Sequence, residues 1–275
     1  MSRLADHISA YDYTWLLSDS RWAWEFLRRN RRFLEDSSLP SASELSFAPA
    51  CHQITLVRPR APQALAERWG LAFFPDPEDS GLEADAFWSG GLYPRRVHMQ
   101  VSPSGPNESC EFYDRTVGIC RITHFTDLAG REQFLLKGNG CGLQVFCTGM
   151  SLLAREPVKL SFIIDSLDEF QAKLKTLQRA QRVYDPQAEA DIPEWARQSL
   201  ALRNALVALD CHDAQLSYFE TARFIYGEER AREAWHSPSR AMKDEMRRAL
   251  ARGRDLRDGG YATLLGPVEN ALLLA

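Results

Sequence analysis

The hydrophobic period of this 275-residue chain changes twice along its length, which restricts it to a fold with helices at both ends and strands between them. In the first 35 residues, Tyr11, Trp15, Leu16, Trp22, Phe26 and Leu27 recur near helical spacing. The stretch Trp22-Ala-Trp-Glu-Phe-Leu-Arg-Arg-Asn30 reads as a helix whose cationic last turn complements the helix dipole. Serine, proline and small residues between Glu35 and Pro49 predict an irregular connection. The middle third alternates or runs β-branched. His52-Gln-Ile-Thr-Leu-Val-Arg58, Val97-His-Met-Gln-Val101, Gly118-Ile-Cys-Arg-Ile-Thr-His-Phe125 and Val158-Lys-Leu-Ser-Phe-Ile-Ile164 are strand candidates. Gln133-Phe-Leu-Leu-Lys137, Gly138-Asn-Gly140 and Leu143-Gln-Val-Phe-Cys147 have the pattern of a hairpin.

From Ser166 the helical period returns. Ser166-Leu-Asp-Glu169 is a capping box, and Leu167, Phe170, Leu174 and Leu177 repeat on one face behind it. A polar break spans Asp185 to Asp191, and Pro193 opens a helix that should run to about Leu209. The expectation is an α+β protein. It has an N-terminal helical segment over 1–35, a central antiparallel β-rich domain with a closing helix over 50–185, and a C-terminal helix-turn-helix-like helical domain over 193–275.

Composition narrows the function. The formal net charge is −4 and the sequence pI about 5.9, so any nucleic-acid site must be a local patch on an acidic protein. No apolar run approaches the roughly 18 to 20 residues that cross a bilayer, and the N-terminus has no export signal, so the cytoplasm is the expected location. The cysteines at 51, 110, 120, 141, 147 and 211 contain no Cys-x-x-Cys pair, which argues against a metal site and for structural thiols. No phosphate loop, dinucleotide fingerprint, nucleophile elbow or zinc-protease motif appears, so no enzymatic activity and no cofactor are expected. His98, His124 and Cys147 in the β region are read as packed or exposed side chains instead of a catalytic cluster. Trp15, Trp22 and Trp24 are read as core. The terminal leucines 272–274 are expected to dock on the chain's own core or on a neighbouring subunit.

The chemistry concentrates between Pro193 and Leu265. Asp210-Cys-His-Asp213 is expected to break the preceding helix. Ser217-Tyr-Phe-Glu220 is a second capping box, opening a short helix with Phe219, Ala222 and Ile225 on one face and a stop at Gly227. After a polar connection containing Trp235, Ser237-Pro238 offers an N-cap and a first-turn proline for a helix to about Asp258. At 100° per residue, Met242, Met246, Ala249, Leu250, Gly253 and Leu256 share one side. Arg240, Lys243, Arg247 and Arg254 form a neighbouring stripe, with Arg248 and Arg252 flanking it. With Arg257, residues 240–257 hold seven basic side chains against three acids, Asp244, Glu245 and Asp255. A capped short helix followed by a longer helix with packed and cationic stripes is the pattern of a helix-turn-helix reader of the major groove. Arginine suits that task because its planar fork addresses guanine or phosphate with paired hydrogen bonds.

These residues also resemble a known family. Ser217-Tyr-Phe-Glu-Thr-Ala-Arg-Phe-Ile-Tyr-Gly227, Trp235, Pro238-Ser-Arg240 and the run Arg247 to Leu265 are similar to the RovC-like family of proteobacterial transcriptional regulators. That family includes a type VI secretion activator and the activators and antiactivators of integrative conjugative elements. Ala23-Trp-Glu-Phe-Leu-Arg-Arg-Asn30 resembles the regulator-like segment that often precedes that domain, and Trp69-Gly-Leu-Ala-Phe-Phe-Pro75, Phe87-Trp88 and Thr148 to Leu153 also fit. The resemblance implies a sequence-specific transcription factor on double-stranded promoter DNA, acting as a homo-oligomer and more as activator than repressor. It implies a supporting helix over 218–226 and a recognition helix from Ser239. Ser239, Arg240, Lys243 and Arg247 then become the main DNA contacts, and Arg248, Arg252 and Arg254 phosphate contacts. Asp244 and Glu245 depart from the more arginine-rich family pattern. They suggest an alternative, an antiactivator that binds another regulator protein through the same helices; RNA polymerase is a separate candidate partner. A small-molecule sensor acting through the β domain is a further alternative.

Overall fold

A computed structural model describes residues 4–40, 44–49, 54–94, 96–105, 120–138, 141–152, 158–164, 167, 170–184, 197–237 and 239–266. Tyr11, Trp22, Trp24, Phe26, Leu27 and Phe33 from the N-terminal helices share one apolar core with Leu202, Leu206, Leu209, Met246, Leu250 and Tyr261 from the C-terminal ones. The helices at the two ends of the sequence thus form one helical body. A 3-10 helix, Ile8–Leu16, leads into α1 (Asp19–Leu27) and α2 (Arg31–Ser37). After the sheet come α4 (Phe170–Tyr184), α5 (Arg197–Asp213), α6 (Tyr218–Tyr226), α7 (Glu228–Trp235) and α8 (Ala241–Asp255). A π turn, Leu256–Gly260, and the short α9 (Ala262–Leu265) complete the body.

The irregular segment around α3 (Ala64–Glu67) and Leu71 to Tyr93 is the layer between this body and the sheet. Trp88 Nε1 donates to the Ser20 carbonyl at 3.1 Å, its ring lies 5.9 Å from that of Tyr261, and its backbone is clasped by the buried Gln144 amide. Phe73 and Phe87 pack on Phe125, 5.3 and 5.5 Å away between ring centres.

The sheet has seven strands in the order β1-β2-β4-β5-β6-β3-β7: β1 Leu45–Pro49, β2 Ile54–Pro59, β3 Val97–Pro103, β4 Arg121–Thr126, β5 Glu132–Gly138, β6 Cys141–Gly149 and β7 Val158–Ile163. It is mixed, which corrects the antiparallel β-rich domain expected from the sequence: β2 runs parallel to β4, and β3 parallel to β6. The β5–β6 hairpin forms as the sequence indicates, with Leu136 opposite Leu143. The connection predicted over 35–49 instead finishes α2 and supplies the edge strand β1. Cys120, Cys147 and Cys211 are buried free thiols, and no metal-binding cluster occurs among the described residues. The capping box at Ser166, Pro193, the terminal leucines, Cys51 and Cys110 lie outside the described residues.

Two arginines expected to decorate a helix end are instead inside the protein. Arg29 reaches α5, where Nε and Nη2 donate to the two carboxylate oxygens of Asp210 at 2.6 and 2.8 Å. Its Nη1 donates to Glu25 Oε2 at 2.7 Å, and Arg28 Nε donates to the same oxygen at 2.8 Å. Tyr11 donates to Asp210 and Tyr13 to Glu25, both at 2.8 Å. Two carboxylates and two guanidiniums balance, so the buried network carries no net charge. Burial pushes the Glu25 carboxyl up, but Arg29 and Arg28 outweigh it and bring its pKa down to about 2. This arrangement also explains why Asp210 does not break α5, which continues to Asp213.

Candidate nucleic-acid interface

The geometry of α8 stems from one apolar stripe. Met242, Met246, Leu250 and Gly253 are buried. A Cβ on Gly253 would lie 2.5 Å from the Ala205 carbonyl oxygen, so glycine is what lets α8 cross closely over α5. Fixing that stripe against α5 turns the opposite stripe outward. Ser239, Arg240, Arg247, Arg248, Arg252 and Arg254 are all exposed, and Lys243 is half-buried.

Most of these cations are not neutralised by neighbours. Among the described residues, Arg240, Arg248 and Arg252 have no carboxylate partner. Arg247 pairs with Asp244 at 3.2 Å in a one-turn, solvent-exposed bridge, the kind of contact that contributes little to stability and exchanges readily. Arg254 donates to His212 Nε2 at 2.6 Å. The Lys243 ammonium sits 5.1 Å from the centre of the Trp235 ring, which itself packs on Phe219 at 5.2 Å. Two of the three acids in the basic run meet partners within the protein. Asp244 meets Arg247, and Glu245 accepts a hydrogen bond from Tyr226, whose hydroxyl also accepts from Asn204 Nδ2 at 3.1 Å. Burial and the Glu245 contact push the Tyr226 pKa up, keeping that hydroxyl a donor. Glu245 therefore belongs to the seam between α5, α6 and α8.

The start of α8 differs from the sequence expectation. The N-cap is Arg240, three residues later than Ser237, and Pro238 lies outside the described residues. Arg240 holds φ 52° and ψ 11°, a left-handed conformation that costs a residue with a Cβ on the order of 1–2 kcal/mol. It makes no capping bond; Ser239 Oγ accepts instead from the Ala241 amide at 3.4 Å. The Ser217 capping box forms in both directions, and Gly227, at φ 86°, ends α6. The next element is a helix, α7, in place of the polar connection expected around Trp235. Sequence reading missed it because the helix is only eight residues long and its apolar face is just Ala231, Ala234 and Trp235 among charged residues. The sequence-predicted contacts therefore lie at the head and on the broad outward side of α8, with Lys243 half-buried at its margin, and Tyr226, Asn204, Trp235 and His212 are the neighbours that set its surroundings.

Two family models match the chain. Residues 163–266, which include α5 to α9, match the RovC DNA-binding domain of a type VI secretion transcription factor. Residues 6–74 match a proteobacterial transcriptional regulator-like domain, reaching beyond the helical segment into β1, β2 and α3. No curated protein matches the chain significantly. No helix among the described residues is long and apolar enough to cross a membrane. The basic helix lies inside the first of these matches, and the two matches together indicate a DNA-binding transcriptional regulator, with a RovC-like DNA-binding domain preceded by a regulator-like segment.

Proposed function

We propose that the protein is a sequence-specific transcriptional activator, working as a homo-oligomer on promoter DNA of type VI secretion or conjugative-element genes, with no enzymatic activity. In this reading α8 enters the major groove. Ser239, Arg240, Lys243 and Arg247 meet bases and phosphates, while Arg248, Arg252 and Arg254 contact backbone. α7, the connection that follows it and α8 then constitute the helix-turn-helix unit, and α6 becomes a further supporting helix.

The observation that supports it most is that Arg240, Arg248 and Arg252 are exposed and, among the described residues, have no carboxylate partner, on a chain whose net charge is −4. Unpaired guanidiniums cost nothing in water and gain most against a polyanion, where each neutralised phosphate releases condensed counterions. The strained Arg240 backbone at the head of the helix adds weight, because such strain concentrates at functional positions. Oligomerisation is argued from magnitude: one short helix makes few phosphate contacts, and linked copies multiply affinity.

The antiactivator alternative drew on Asp244 and Glu245. With Glu245 bonded to Tyr226, one of those two acids is no longer available to a protein partner. Gel shifts on the promoter next to the protein's own gene, at two salt concentrations, separate the readings. A shift with steep salt dependence that Arg240→Ala with Arg247→Ala abolishes is the expected result. An unshifted fragment together with co-purification of another regulator would replace the activator reading by the antiactivator one.

A further inference from the structure

Four arginines in five positions, Arg28, Arg29, Arg31 and Arg32, split into two kinds. The first two are consumed by Glu25 and Asp210. Arg31 and Arg32 are exposed, have no carboxylate partner among the described residues, and begin α2, whose first turn contains no acid. Adjacent guanidiniums repel each other, and cations in a first turn oppose the helix dipole, so no contact among the described residues accounts for this pair.

Both line a cleft of about 920 Å³, with Asn30, Asp213, Gln215 and Arg257 among its other walls. Asn30 Nδ2 donates to the Arg257 carbonyl at 3.0 Å, closing the floor between the N-terminal helices and the π turn. Arg257 stands between Asp213 at 3.8 Å and Asp258 at 2.7 Å, which leaves the Arg31–Arg32 wall as the cationic side. Next to Asp213, His212 accepts from Arg254, so the cleft lies beside the C-terminal end of α8. From Arg240 to Arg254, α8 is roughly 21 Å long at 1.5 Å per residue. The major groove is only about 12 Å wide. A helix reading bases with its first turns therefore brings its last turn, and this cleft, to the phosphate wall.

We infer that the cleft seats a phosphate group on Arg31 and Arg32, supplied by the DNA backbone flanking the bases that α8 reads. The N-terminal regulator-like segment is then part of the DNA contact. This inference rests on α8 being the base-reading helix.

The test compares the full-length protein with Arg31→Ala/Arg32→Ala and with Arg240→Ala/Arg247→Ala in fluorescence-anisotropy titrations of the promoter fragment over a salt series. Removing two phosphate contacts should weaken binding by roughly ten- to thirtyfold at moderate salt and reduce the slope of log K against log salt by about 1.8, equally for specific and unrelated DNA. Arg31→Glu/Arg32→Glu should weaken it further. If Arg31→Ala/Arg32→Ala binds like the wild type while Arg240→Ala/Arg247→Ala does not, the cleft assignment is wrong and the α8 reading survives. If Arg240→Ala/Arg247→Ala binds like the wild type, the α8 reading fails and takes the flanking position of the cleft with it. A thermal melt with excess pyrophosphate supplies the second arm. Stabilisation of the wild type but not of Arg31→Ala/Arg32→Ala, with an unchanged salt slope, would assign the cleft to a small phosphate-bearing ligand and overturn the DNA contact.

Discussion

Arg28 and Arg29 in the N-terminal segment and Arg248 and Arg252 on α8 are the same side chain in opposite surroundings. The first pair is buried and bonded to Glu25 and Asp210; the second is exposed, with no carboxylate partner among the described residues. Both belong to arginine-rich stretches of helical sequence, so local sequence does not distinguish them. The difference arises from Asp210, 181 positions from Arg29 in the chain, which turns one cation into a structural pin. A basic residue marks a binding surface only once its internal partners have been excluded. The pin has a second consequence: it ties the segment matched by the regulator-like model to α5 of the DNA-binding domain.

The largest effect should come from breaking the buried side of this comparison. Asp210→Ala leaves Arg29 charged, buried and half-paired, and should cost about 3–5 kcal/mol of folding stability in urea unfolding. A loss below about 1 kcal/mol would mean that Arg29 finds water or another partner, and that the two kinds of arginine are less distinct than they look.

Next comes pH. Glu25 has a folded pKa of about 2 against an ordinary 4.5, so its contribution is fully present above pH 4.5 and drains away as the pH falls toward 2. The contribution is on the order of 3 kcal/mol. Thermal melts of wild type and Glu25→Gln between pH 6 and pH 2 should converge as the pH drops; a constant gap would remove Glu25 from the acid transition.

The smallest effect sharpens the exposed side. Arg240→Gly relieves a left-handed conformation and should raise stability by roughly 0.5–1 kcal/mol while weakening DNA binding. Opposite signs for fold and function at one residue are what a side chain kept for a ligand predicts. A destabilised variant would show that the Arg240 side chain serves the fold.

Features encoded within a few residues were legible in advance. The Ser217–Glu220 box, the β5–β6 hairpin and the division of α8 into apolar and cationic stripes all depend on neighbours in sequence, and all three form. What was not legible depended on distant partners. The parallel pairings of β2 with β4 and of β3 with β6 join strands far apart in the chain, and β1 is a five-residue edge strand ending at Pro49 whose Leu45-Ser46-Phe47 alternation is too short to mark it. Asp210 looked like a helix breaker because its compensating cations come from the other end of the sequence. Glu245 looked like a competitor on the basic face because Tyr226 on another helix is its partner. The left-handed Arg240 had no sequence signal at all, since non-glycine residues rarely adopt that conformation.

Arginine-selective labelling read by mass spectrometry, on the full-length protein with and without a promoter fragment that it shifts, tests the central claim most directly. In free protein Arg240, Arg247, Arg248 and Arg252 should react while Arg28 and Arg29 stay silent. Bound DNA should then protect the α8 arginines. Equal modification of the α8 arginines with and without bound DNA, or ready labelling of Arg28 and Arg29 in the folded protein, would contradict the account.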